Sequence, residues 1–217
     1  MSSGEDWLQD PLRIIDSGSY KSRKLKSHNC KQNDLWHSFH FSTRLKLDAA
    51  DHFCRQVLGA ASMPYDLGLP LLAHRQLKWY LDAFFFELIS AYNTLLQELN
   101  IVYDLGLKPE GVRWNKIKSK LPTTLVEYMD KEQGKEWFEK VRQYRNMAAH
   151  NSYLWTGWEE AGSGDKPWNY DEHEVSIYHL DRTGELKEEK ISVLSDYLKK
   201  MVGYIQQVWQ GMAQKFD

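Results

Sequence analysis

The sequence predicts a mainly α protein: an antiparallel helical bundle with a small β-hairpin inserted before its last helix and a short extended segment near the N-terminus. Two of the observations behind this are long apolar stripes at alternating spacings of four and three, Leu81, Phe85, Leu88, Tyr92, Leu95, Leu99 and Val102 in one stretch and Leu194, Leu198, Met201, Ile205, Val208 and Met212 in another. That spacing keeps the apolar residues on one side of a 3.6-residue turn, as in a helix packed lengthwise against others. The third is a pair of alternating runs within residues 174–191, separated by Asp181-Arg182-Thr183-Gly184, the pattern of a hairpin.

Composition sets the frame. With 217 residues, 42% hydrophobic and 27% charged, the chain has the makeup of a globular domain of ordinary size. We read it as an irregular basic N-terminal arm, residues 1–34, followed by a single helical domain, residues 35–217, that carries a loop and hairpin insertion at 151–191. Its two cysteines, Cys30 and Cys54, exclude a disulfide scaffold and a cysteine-based zinc finger. No apolar run is long enough to span a membrane, and the opening MSSGEDWLQDPLRII lacks the apolar region of a signal peptide, so a cytoplasmic location is expected.

Along the chain, Trp7 and Leu8 are candidate anchors for the arm, and the basic stretch 21–31 reads as a solvated tail. Residues 35–47, LWHSFHFSTRLKL, alternate and are rich in aromatics and threonine, which predicts an extended segment. His37, His40, His52 and Cys54 match no recognised ligand spacing, so neither a metal nor another cofactor is expected. Asp48 suits an N-cap for a helix reaching about Leu58. Pro64, Gly68 and Pro70 mark a loop before the long helix at 72–103, which Phe84, Phe86, Ile89 and Leu96 widen to a second apolar face. A short basic helix at 111–120, a further turn or two at 123–129 and a clear helix at 133–150 follow. Residues 151–174, with three glycines, a proline and several aromatics, predict a loop. Ser192 can cap the final helix.

The net charge of −2 excludes a polycation that coats nucleic acid, but the distribution is uneven. Between Lys108 and Arg145 there are ten Lys/Arg against six Asp/Glu; between Asn151 and Asp196, four against eleven. The two stretches meet at His150.

The helix at 133–150 is where chemistry concentrates. At 100° per residue, Trp137, Val141, Tyr144 and Ala148 share a core face with Phe138 at its edge. Glu139, Arg142, Gln143, Asn146 and His150 fall opposite, with Arg145 at the border. Arg, Asn and His are thus presented together near a helix end. Those groups suit metal-free cleavage of RNA, in which the 2′-hydroxyl loses a proton, the leaving 5′-oxygen gains one, and charge on phosphorus must be offset. Imidazole can act as base or acid, and a guanidinium fork matches phosphate oxygens. One helix supplies one histidine, so complete acid–base chemistry points to two copies sharing a cleft.

The segment YRNMAAHNSY, residues 144–153, resembles the signature of the HEPN superfamily (higher eukaryotes and prokaryotes nucleotide-binding domains): Arg, a polar residue directly after it, and His a few positions on, late in a helix of an all-α bundle. Arg145, Asn146 and His150 match it one by one. The resemblance in the order of elements extends over roughly residues 48–214. It implies a ribonuclease that acts without metal as a homodimer through the motif helix, with RNA or a nucleotide as ligand and no DNA. Many such proteins belong to toxin–antitoxin or phage-defence systems, which implies an antitoxin or defence partner. His150 would be the acid/base group, Arg145 the phosphate clamp and Asn146 the orienting residue. Arg142 and Tyr153 would support RNA binding. Tyr153 lies three residues after the histidine, whereas one antitoxin-paired subset has its tyrosine two after. Some members use an acidic or polar residue of the preceding long helix. Asp82, Glu87 and Asn93 are available, and Glu87 is favoured. The alternative is a non-catalytic nucleotide-binding or protein-interaction module on the same bundle, in which the Trp-rich acidic loop meets a partner.

Overall fold

The computed structural model describes residues 8, 24–26, 29–61, 70–149, 154–158, 175–180 and 185–216. Within them the chain is mainly α. Six helices, α1 Cys30–Ala61, α2 Pro70–Val102, α3 Trp114–Ile117, α4 Thr123–Gln133, α5 Glu136–Ala149 and α6 Val193–Met212, accompany strands β1 Leu154–Trp158, β2 Val175–Leu180 and β3 Leu186–Lys190. The mainly α fold with a hairpin ahead of the last helix is as the sequence predicted.

Residues 35–47 are not extended but lie inside α1, and Asp48 is interior to that helix rather than its cap. The start is set further back, by a reciprocal capping box. Asn29 Oδ1 accepts from the Gln32 N–H at 2.9 Å, and Gln32 Oε1 accepts from the Asn29 N–H at 3.2 Å. Helical burial then runs through Trp36, His40, Thr43, Leu47, Ala50, Cys54 and Val57, alternating by four and three. The apparent alternation arose because Leu35, Phe41 and Leu45 are apolar but exposed. Helix α1 thus begins at Cys30, inside the stretch read from the sequence as the arm. Leu25 forms a β-bridge with Phe216, both buried, and Leu8 is buried as well; Trp7 lies outside the described residues.

In α2 every residue of the predicted stripe is buried, and of the second face Phe84, Ile89 and Leu96 are too, while Phe86 is not. The helix ends in a Schellman arrangement: the Leu105 N–H reaches Asn100 O and the Asp104 N–H reaches Ile101 O, with Asp104 at φ 49°. The helix expected at 111–120 is reduced to α3 and a 3-10 turn, Lys118–Lys120, whereas the next one extends to Gln133. The α6 stripe is buried throughout.

Residues 151–174 are not all loop, since β1 joins the hairpin in an antiparallel sheet of order β1-β2-β3. Leu154 pairs with His179 and Trp158 with Val175, while Ser176 pairs with Lys190 and Leu180 with Leu186. Thr and Trp favour a strand in β1, but its glycine-containing surroundings mask that preference until β2 supplies a partner. The hairpin tip, 181–184, lies outside the described residues.

The chain divides into two compact units. One comprises Met1–Leu47, Ser90–Phe138 and Lys199–Asp217, the other Asp48–Ile89 and Glu139–Leu198. In the first, Glu98 is buried with its carboxylate accepting from the Thr43 hydroxyl, from His40 Nδ1 at 2.9 Å and from Trp209 Nε1 at 3.1 Å. The rings of Trp36, His40, Trp209 and Phe216 pack around it at centroid spacings of 4.5 to 5.0 Å. The second unit contains the sheet and most of α5.

Candidate functional site

The outward side of α5 is set by what its inward side must do. Val141 and Tyr144 have no exposure. Tyr144 packs on Phe85 of α2 at 4.8 Å and edge-on to His179 of β2 at 5.0 Å. A buried phenol needs a partner for its hydroxyl, and Tyr144 donates to Glu189 Oε2 at 2.6 Å. The same oxygen accepts from the Tyr197 hydroxyl of α6 at 2.7 Å, and Lys140 Nζ donates to Oε1 at 2.7 Å. Glu189 therefore joins α5, β3 and α6 through one carboxylate. Burial alone would raise its carboxyl, but the hydrogen bonds from Lys140, Tyr144 and Tyr197 and the lysine charge outweigh this, so it lies below the ordinary glutamate value. The Tyr144 phenol is held well above its ordinary value, first by burial and then by the adjoining Glu189.

With Tyr144 fixed inward, the helical repeat carries the next residues outward. Arg145 is half-buried, and Arg142 and Asn146 are exposed. The Arg145 guanidinium carbon lies 5.9 Å from the centre of the Phe86 ring of α2, within cation–π range. Its Nη1 donates to Asn146 Oδ1 at 3.3 Å. The fork is thus steered from two sides, by a ring beneath it and an amide beside it, with donors left over for an anion. The structure brings Arg145 and Asn146 together and keeps Arg142 on the solvent side of the same helix.

Described helix α5 ends at Ala149, so the predicted site residues His150 and Tyr153 lie outside the described residues. Of the α2 candidates, Glu87 is half-buried and follows Phe86 directly. Asp82 is half-buried, with Lys78 Nζ 2.9 Å from its Oδ2, and burial raises its carboxyl despite that lysine. Asn93 is exposed, in the other unit.

Phe86 was missed as a site residue because a phenylalanine among apolar neighbours reads as core. A signal was present, since Trp79 and Phe86 lie two turns apart, on a side of α2 where Asp82 and Ala83 interrupt the apolar pattern. Among the described residues no group of three or more His, Cys, Asp or Glu side chains is placed to hold a metal ion. Cys54 is buried 3.8 Å from Ser195 Oγ, and burial pushes its thiol up despite that hydrogen bond, unlike a reactive cysteine. No described helix is long and apolar enough to cross a membrane.

Comparison with known proteins gives one finding. The family model HEPN_Cthe2314-like HEPN matches residues 41–216. No curated protein and no solved structure matches the chain.

Proposed function

The chain belongs to the HEPN superfamily, and on that premise we propose that it is an endoribonuclease that cleaves RNA by attack of a 2′-hydroxyl on the adjacent phosphate, without a metal. The observation that carries this reading is the Arg145–Asn146 pair, held on the outward side of α5 by Phe86 and by their own hydrogen bond while Tyr144 is locked inward.

The reading assigns roles as follows. Arg145 donates to the non-bridging oxygens and offsets the charge that grows on phosphorus. His150, one residue past the described end of α5, takes the 2′-hydroxyl proton as a neutral base. The His150 of a second copy, protonated, gives a proton to the departing 5′-oxygen. The P–O5′ bond breaks as the P–O2′ bond forms, leaving a 2′,3′-cyclic phosphate and a 5′-hydroxyl. Asn146 orients the imidazole or the phosphate, Arg142 and Tyr153 contact the RNA backbone, and Glu87 supports the site from α2. A homodimer through α5 supplies the two histidines, and an antitoxin or defence-system partner would regulate it.

The test is an RNA cleavage assay with the full chain and its His150→Ala and Arg145→Ala variants. Both substitutions are expected to abolish cleavage and leave the circular dichroism spectrum unchanged, with a 2′,3′-cyclic phosphate on the wild-type product. Cleavage that persists in purified His150→Ala defeats the assignment. Thermal stabilisation by nucleotides with no cleavage by the wild type assigns the chain to the non-catalytic alternative.

A further inference from the structure

Two large rings stand out of α2, and one of them lies beside the motif. Trp79 is 65% exposed and Phe86 49% exposed. They are two turns apart on one side of the helix, and Arg75, exposed one turn before Trp79, continues the same stripe. At the far end Arg145 lies over Phe86. The stripe therefore reads guanidinium, indole, phenyl, guanidinium. Asp82, which lies between the two rings in sequence, is paired with Lys78.

We propose that this stripe is a stacking platform for unpaired bases, with Trp79 and the Phe86–Arg145 pair under successive exposed bases and Arg75 and Arg145 meeting the phosphates that flank them. The inference rests on the ribonuclease reading and adds to it the class of RNA, single-stranded, and the residues that select it.

The chemistry of the stripe argues for this occupant. Exposed aromatic faces bind nucleobases of any sequence because every base has a π-face, and guanidinium planes stack in the same way. Cationic groups at each end complement the charge of a sugar–phosphate strand, which an apolar partner surface would not. Seven residues of helix place the rings about 10 Å apart along the axis, whereas stacked bases in a duplex are spaced about 3.4 Å. Only a strand whose bases are already unstacked can lie on both. Phe86 has a second part in this. The ring that supports a base also supports the guanidinium that clamps the phosphate, so it is a positioning residue for Arg145.

The probe is a short fluorescein-labelled 2′-O-methyl oligoribonucleotide of mixed sequence, which has no free 2′-hydroxyl to be cleaved. Binding to the full chain is read by anisotropy, alone and annealed to its complement. The wild type is expected to prefer the single strand. Trp79→Ala is expected to weaken single-strand binding about ten-fold, with most of the loss restored by Trp79→Phe and little effect on the duplex. Phe86→Ala is expected to weaken binding and also to lower kcat on a cleavable RNA, because Arg145 loses its support; Trp79→Ala should act mainly on KM. Both residues are exposed, and thermal melting checks that the variants fold. If the wild type binds the probe and both alanine variants bind it equally well, the platform is refuted and the ribonuclease reading stands. If Trp79→Ala instead shifts the oligomeric state by light scattering, the stripe is an interface between copies and the proposal is overturned. A wild type that neither binds the probe nor cleaves RNA removes the ribonuclease reading, and this one with it.

Discussion

Each compact unit is organised around a carboxylate that accepts three hydrogen bonds, yet the two carboxylates do different things. Glu98 is enclosed by rings and accepts from Thr43, His40 and Trp209, side chains of α1 and α6. Glu189 sits on a strand at the sheet edge, keeps some exposure, and accepts from Lys140, Tyr144 and Tyr197. The described donors to the first all lie in its own unit. The second accepts from Tyr144, the residue immediately before Arg145. One carboxylate hub thus ties α1 to α6, and the other fixes the inward residue next to the proposed phosphate clamp.

The largest expected effect falls on the enclosed hub. Glu98→Ala removes the carboxylate that accepts from His40 Nδ1 and Trp209 Nε1, and should cost on the order of 3–5 kcal/mol in urea denaturation. Cleavage by the fraction that remains folded should be unchanged. A smaller loss, about 2–3 kcal/mol, is expected for Glu189→Ala, because water can reach part of that site. It should be accompanied by reduced cleavage as Tyr144 and Arg145 shift. A Glu98 variant that impairs cleavage while folded, or a Glu189 variant that does not, would erase the distinction.

Acid pH sharpens the same contrast. The folded Glu189 carboxyl lies below its ordinary value of 4.5, so its stabilising contribution is complete above the unfolded value and is lost as pH falls through the lower folded one. Melting temperature followed from neutral pH downward should therefore fall less steeply in Glu189→Gln than in the wild type. At the alkaline end, burial and the Glu132 charge push the Tyr128 phenol from 10.0 up to about 12. Its neutral form is favoured by folding, so the associated stability is present below the ordinary value and lost as pH rises towards the folded one. Tyr128→Phe should remove one late step from the phenol absorbance titration. The smallest effect on folding is expected for exposed Arg142→Ala, within about 0.5 kcal/mol. That variant should weaken RNA binding several-fold and flatten its salt dependence, as loss of one phosphate contact does.

Much of this molecule is legible in its sequence. Long stripes with one apolar side specified α2 and α6 because burial of that side is what stabilises a helix in a protein. The same periodicity divided α5 into inward Val141 and Tyr144 and outward Arg142 and Asn146, and so located the candidate site. The helix α1 was also written in the chain, in the Asn29–Gln32 cap and the spacing from Trp36 to Val57. Local β preference and a few exposed apolar residues obscured it.

What the sequence by itself determined is the helical class, the hairpin, and which residues of α5 face out, since each follows from spacings along one chain segment. Only the tertiary structure decided the rest. It put β1 beside β2, drew Glu189 from β3 onto Tyr144, and set Phe86 beneath Arg145. Those contacts join residues tens of positions apart, and no local periodicity encodes them. They are chosen when the core closes, by the need to satisfy buried hydroxyls and to pack rings against one another.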